Sequence, residues 1–231
     1  EGRSAAAGAP APQAALPPPP PVKPKVVIVD RPGAAQSQVR VGGVGVPRST
    51  PDYFPILVLN TILGGSFTSR LNQNLREQHG YAYGARSVFE MRRAAGPFVA
   101  AAGVQTDKTA EALREIFKEL EGIRAPVPAE ELERAKNYLA LGLPRDFETT
   151  RDIAARLAEL FVYDLPEDFY RNYVPRLQAV TAADVARVAR QHIDPRRFVV
   201  VVAGDRKVIE APVRALGIGP VELLPVEQAV P

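Results

Sequence analysis

The chain has no cysteine among its 231 residues. That absence removes disulfides, thiol catalysis and cysteine-ligated zinc together. Histidine is nearly as scarce, with only His79 and His192. A zincin or inverzincin centre needs two histidines four apart on one helix face, with a glutamate beside one of them. These two lie in different halves of the chain. Glu77 and His79 are two apart, so on a helix they point to different sides and share no metal. There is no G-x-S-x-G, and Gly65-Ser66 lacks the following glycine, so no serine nucleophile is marked. Gly42-Gly43-Val44-Gly45 lies inside a strand pattern and lacks the lysine and hydroxyl of a Walker loop. Such a stretch marks a bulge or a close backbone approach. No apolar run approaches the roughly 20 residues that span a membrane. No Lys/Arg run interleaved with aromatics suggests nucleic acid. No signal peptide is visible, and residue 1 is Glu rather than Met, so the chain reads as a piece of something longer.

What is present is ordinary for a globular protein: 46% hydrophobic residues, 24% charged and a net charge of +3. The first 24 residues are Ala- and Pro-rich, with prolines at 17 through 21. They read as a semi-extended linker or tail. Residues 25–231 read as one domain. KVVIVD (25–30) predicts a buried strand and 38–46 a half-buried one. Residues 52–63 are apolar on nearly every side and predict a buried helix, broken at Gly64-Gly65. Ser66 or Thr68 is the expected cap of a second helix through about Gln78. Residues 82–91 and 97–104 predict a strand pair.

The second half is helical. Ala110, Leu113, Ile116, Phe117, Leu120 and Ile123 fall on one helical face. Pro128 suits a first helical turn, and Glu130 and Glu131 follow it. Thr149-x-x-Asp152 and Thr181-x-x-Asp184 resemble capping boxes. Residues 166–180 carry near-helical apolar spacing, with Pro175 as a kink. Residues 198–203 predict a strand and 207–216 a last helix. Acidic pairs at helix starts, Asp164/Glu167 included, are explained by capping. His79 reads as a surface residue at a helix end. His192 reads as a helix-end residue whose charge complements the dipole. An unusual metal site built by the fold on either histidine is the outlying alternative. The order of elements predicts an α+β, two-layer sandwich: a mainly antiparallel sheet with helices packed on one face.

Four segments, taken together, resemble one known family. ILGGSFTSRLNQNLREQHGYAYGARS (62–87) resembles the second-domain signature of the M16 metallopeptidases, the pitrilysin, insulinase and mitochondrial processing peptidase family: a Gly pair, S-R-L, L-R-E, then G-x-A-Y. VDRPGAAQSQVRVG (29–42), GPFVAAAGVQTDKTAEAL (96–113) and VTAADVARVARQHIDPRRFVVVVAGD (180–205) resemble its flanking segments in the same order. The matching stretch covers about 190 residues, in line with a single domain.

The resemblance implies a zinc-free, second-type (C-terminal) M16 domain, and with it the rest of the functional reading. Zinc and the general base are expected on a partner domain or subunit bearing H-x-x-E-H, with no cofactor in this chain. The two halves would enclose a chamber as a dimer or tandem-domain assembly. The family's Arg and Tyr, seven residues apart, fall here on Arg76 and Tyr83, which would hold peptide and meet the oxyanion. Both are donors suited to such an oxygen, and Arg does not titrate. Each also has a structural explanation: an Arg near a helix C-terminus and a Tyr entering a strand. Tyr81 stands where the family has an aliphatic residue and is expected in the core or rim. Gly64, Gly65 and Gly80 are expected as hinge or close-approach positions. The alternative from another class is a non-catalytic structural subunit of the same fold, like the core proteins of respiratory complexes. A bacterial periplasm or envelope location suits the composition best, with cytoplasm next.

Overall fold

The computed structural model of the chain describes residues 19–20 and 22–229. Most of the expected Ala/Pro linker lies outside the described residues. Six strands form one sheet: β1 (Lys25–Asp30), β2 (Gln36–Val44), β3 (Ala82–Phe89), β4 (Pro97–Gln105), β5 (Val199–Gly204) and β6 (Val221–Leu224). Their order across the sheet is β3-β4-β2-β5-β1-β6. β3–β4, β2–β4 and β2–β5 pair antiparallel, while β1 pairs parallel with both β5 and β6. The sheet is therefore mixed within a mainly antiparallel plan.

β4 shows how one face of the sheet is packed. Along β4, Phe98, Ala100, Ala102 and Val104 are buried, and Val99, Ala101 and Gly103 between them are not. Period-two alternation puts these two sets on opposite faces. The helices are α1 (Tyr53–Asn60), α2 (Arg70–Asn72), α3 (Thr109–Gly122), α4 (Ala129–Gly142), α5 (Thr150–Val162), α6 (Tyr173–Gln178), α7 (Ala182–His192), α8 (Arg206–Ala215) and α9 (Val226–Ala229), of which α1, α2, α3, α8 and α9 contact strands. Phe98 is fully buried, and its ring lies 4.6 Å from that of Phe89 and 5.5 Å from that of Phe198. Side chains of this kind contribute roughly 1.5–3 kcal/mol each on leaving water. Thr181 and Asp184 form a complete capping box at α7.

Several local expectations are corrected. β2 lies two residues earlier than the 38–46 read from alternation. The second helix begins at Arg70 with Ser69 in the cap position, not Ser66 or Thr68, and no side chain caps it. Ser66 instead donates to the Thr61 carbonyl at 3.2 Å, closing the turn before. The 166–180 stretch is helical only as α6. Pro175 is in the first turn of that helix, where a missing N–H costs nothing, rather than at a kink. β6, only four residues long, was not anticipated.

His192 ends α7 as expected, but its surroundings do not favour the charged ring. Its half-buried ring faces Asp52 rather than solvent, with Nε2 3.8 Å from the carboxylate and no hydrogen-bond partner. Asp52 accepts from both Arg187 Nη atoms, at 2.6 and 3.2 Å. Those bonds hold its carboxyl below the usual range, against the opposing effect of burial. Burial lowers the His192 pKa from 6.5, and Asp52 only partly opposes this. Folding therefore favours the neutral ring. The unfolded chain binds the extra proton, so stability rises with pH and is lost as pH falls below 6.5. Urea midpoints should drop between pH 7.5 and 5.5, and His192→Gln should flatten that slope. An equal slope in both proteins would exclude this cause.

Two wide helical turns position the candidate residues. α1 runs on into π-helical turns over Thr61–Gly65, and α2 into others over Gln73–Gln78. Gly64 in the first presses against β3, where a Cβ would fall 2.2 Å from the Ser87 nitrogen. Gly80 ends the second in the left-handed region at φ 65°, with open space around it. The two glycines thus fail differently on substitution. Gly64→Ala should cost about 1–3 kcal/mol by overpacking and shift β3. Gly80→Ala should cost about 1–2 kcal/mol through backbone strain alone. Urea unfolding gives both values, and amide shifts in β3 should move only for Gly64→Ala.

Candidate functional site

The site lies where the second wide turn meets the start of edge strand β3. Residues 73–78 carry Arg76 in the last turn of the helix. The Gly80 amide donates to the Arg76 carbonyl at 3.1 Å, and the Tyr81 amide to the Leu75 carbonyl at 2.8 Å. The chain then reverses. The Gln105 side chain donates to the Gly80 carbonyl at 2.9 Å, and the Gln105 amide to the Tyr81 carbonyl at 3.0 Å, tying the turn to β4. Tyr83 follows in β3, within a register shift between Ala82 and Ala85. Such a bulge re-aims a side chain. Asn72 holds it: its carboxamide accepts from the Ala85 amide at 3.1 Å and donates to the Phe67 carbonyl at 2.7 Å.

Arg76 and Tyr83 are brought together. The guanidinium carbon lies 5.4 Å from the Tyr83 ring centroid and 4.6 Å from that of Phe67. Arg76 therefore rests between two aromatic rings, an arrangement that orders the guanidinium without consuming its N–H donors. Its nearest carboxylate is Glu77, at 3.4 Å. Tyr83 is 88% exposed and Phe67 60%. Two aromatics so exposed, side by side with an ordered cation, form a surface that β-propensity and core packing do not explain. Phe67 and Asn72 were not singled out from the sequence. Both lie inside the quoted motif, but no residue-type rule marks a Phe as a guanidinium platform or an Asn as a bulge clamp.

The remaining candidates take supporting positions. Gly64 allows the close approach to Ser87, and Asn60 accepts from the Ser87 hydroxyl at 2.8 Å. Gly65 packs against Asn60, with its Cβ position 2.9 Å from that carboxamide. Tyr81 is partly buried against the core, and its ring stacks on His79 at 4.9 Å. His79 Nε2 lies 3.8 Å from Glu115. The two histidines thus have different neighbours and share no site. Among the described residues no group of three His, Cys, Asp or Glu side chains is placed to hold a metal ion. The residues present do not fit zinc.

The arrangement can do one thing chemically. A guanidinium and a phenol on the same exposed edge can both donate to oxygen. Arg76 stands at a helix end and Tyr83 on a strand, so both stand on ordered backbone.

Comparison with known proteins bears on the family and the fold. The family described as the peptidase M16 inactive domain matches residues 2–139. An uncharacterized zinc protease of Mycobacterium tuberculosis is 29% identical over 185 residues, covering 78% of this chain and 41% of that protein. The chain therefore spans less than half the length of the curated relatives it matches. Among solved structures, the peptidase M16 inactive domain from Pseudomonas fluorescens superposes with a TM-score of 0.77 at 26% identity, over 83% of this chain and 46% of that one. A chain of complex III from Candida albicans shares the fold alone, with a TM-score of 0.69 at 15% identity over 84% of this chain and 49% of that one. With the family match running through β4 and into α4, and a solved inactive domain superposing on the fold, the chain belongs to the M16 peptidase family as one of its inactive domains.

Proposed function

We propose that this chain is the non-zinc half of an M16 zinc metalloendopeptidase, which completes a closed chamber and binds peptide through Arg76 and Tyr83. The observation that carries the reading is the exposed Tyr83 ring against the ordered Arg76 guanidinium. Zinc, bound water and the general base belong in this reading to an H-x-x-E-H-bearing partner domain or subunit. No step on this chain passes through the metal.

The roles of the two residues follow from their chemistry. An extended peptide offers carbonyl oxygens, and the scissile one gains negative charge in the transition state. A donor aimed at that oxygen helps most when water is excluded. Tyr83 offers one O–H, and Arg76 offers several N–H donors and a charge that does not titrate. Substrate is thereby held and oriented by this half while the partner performs bond cleavage. Alone, the chain should hydrolyse nothing.

A second reading, a non-catalytic assembly subunit, is favoured by the likeness of fold to a complex III chain. The two readings differ in what the parent assembly does. With its zinc-bearing partner present, wild type should cleave unfolded peptides. Tyr83→Phe and Arg76→Ala should each reduce turnover on the order of a hundredfold with unchanged circular dichroism. Full turnover in both variants would remove them from the chamber. No cleavage by wild type, together with no H-x-x-E-H in the parent reading frame or an adjacent gene, would favour the assembly subunit.

A further inference from the structure

The sheet face turned away from the helices carries a groove of about 440 Å³ that begins at Tyr83. Its floor is small: Ala101 and Gly103 of β4. Its sides hold two arginines, Arg40 on β2 and Arg86 on β3. The register places both opposite Ala101, since Arg40 and Arg86 each pair with that residue. All three therefore form one row on the same face. Arg40 and Arg86 are separated by two strand spacings, about 10 Å between backbones, which two side chains as long as arginine can bridge. Both are exposed. Neither has a carboxylate within ion-pair distance among the described residues, and the groove lining includes no acidic residue. Among the described residues other arginines do have carboxylate partners, as Arg70 with Glu131, Arg187 with Asp52 and Arg206 with Glu210. Gln38 adds a neutral carboxamide, which lies over Gly103 where a Cβ would come within 2.9 Å of it.

We infer that this groove is a carboxylate subsite, so that a peptide held at Tyr83 places an acidic side chain over Ala101 between Arg40 and Arg86. The argument is charge complementarity. Two unpaired guanidinium groups flank a floor too small to fill the space between them, and Arg favours carboxylate through paired N–H donors. Two like charges across one groove repel, and a single carboxylate between them relieves that repulsion. The inference rests on the reading of Tyr83 as facing peptide, and it adds a preference for acidic substrates.

The test uses the full chain and two fluorescein-labelled decapeptides of Ala, Leu and Ser, identical except for one central Glu or Gln. Fluorescence anisotropy should show the Glu peptide binding about tenfold tighter at low salt, with the difference shrinking as salt rises. Arg40→Gln and Arg86→Gln should each reduce that difference to near unity. Both residues are exposed on strands, so both variants should fold. Equal binding of the two peptides, no measurable binding of the Glu peptide, or a preference that survives both substitutions overturns the subsite. Tyr83→Phe and Arg76→Ala separate the two claims. If they weaken both peptides alike, reading and subsite stand together. If they change nothing while Arg40→Gln abolishes the Glu preference, the subsite stands and the Tyr83 reading fails.

Discussion

The close approach of the Thr61–Gly65 turn to β3 sets everything around it. A helix normally keeps side chains between itself and a sheet. Here Gly64 has none, so helix backbone meets strand backbone at the Ser87 nitrogen. Asn60 then reaches Ser87, and Asn72 reaches the bulge at Ala85. The edge strand is thus held by side-chain amides on its helix side and by β4 on its other flank. The π-helical turns belong to this device. Each inserts a residue into a helix and turns the next side chains away from their expected face. In one case that brings Gly64 inward, and in the other it presents Arg76 at the helix end.

This pinning explains how an edge strand carries an exposed aromatic safely. Edge strands with long apolar stretches invite pairing with other chains, and bulges and charges blunt that tendency. β3 has both: the shift between Ala82 and Ala85, and Arg86. The same bulge interrupts the ladder and leaves Tyr83 beside Arg76.

Much of the fold was legible because its signals are local. β1, the β3–β4 pair, α3 and the α7 capping box are written in alternation, helical spacing and Thr-x-x-Asp. The failures were of two kinds. Boundaries such as the start of β2 and of α2 depend on where partners lie, which a single sequence does not display. His192 ends α7 as read, but its charge state is set by burial, which a single sequence does not display. The site was legible only through the family signature. Residue types alone made Arg76 a helix-end cation and Tyr83 a strand residue, and nothing local marked Phe67, Asn72, Arg40 or Arg86. Arg40 and Arg86 share a row only through strand register, and Phe67 and Asn72 meet Arg76 and the bulge only in the folded chain.

The exposure that identifies the site also limits what this chain can do by itself. In water a donor at an oxygen trades one hydrogen bond for another, and the net gain is small. Screening weakens a surface charge further. The same donors become effective catalytic elements only where solvent is excluded and their orientation is fixed beforehand. Orientation is already supplied here, by Phe67 beneath Arg76, by Gly80 at the turn and by Asn72 at the bulge. Solvent exclusion is not, since Tyr83 faces open water. On the proposed reading the opposing half supplies it on closure, so chain and partner each hold one of the two conditions for transition-state stabilisation. Separation of the halves would then end the part of these donors in catalysis without altering their geometry.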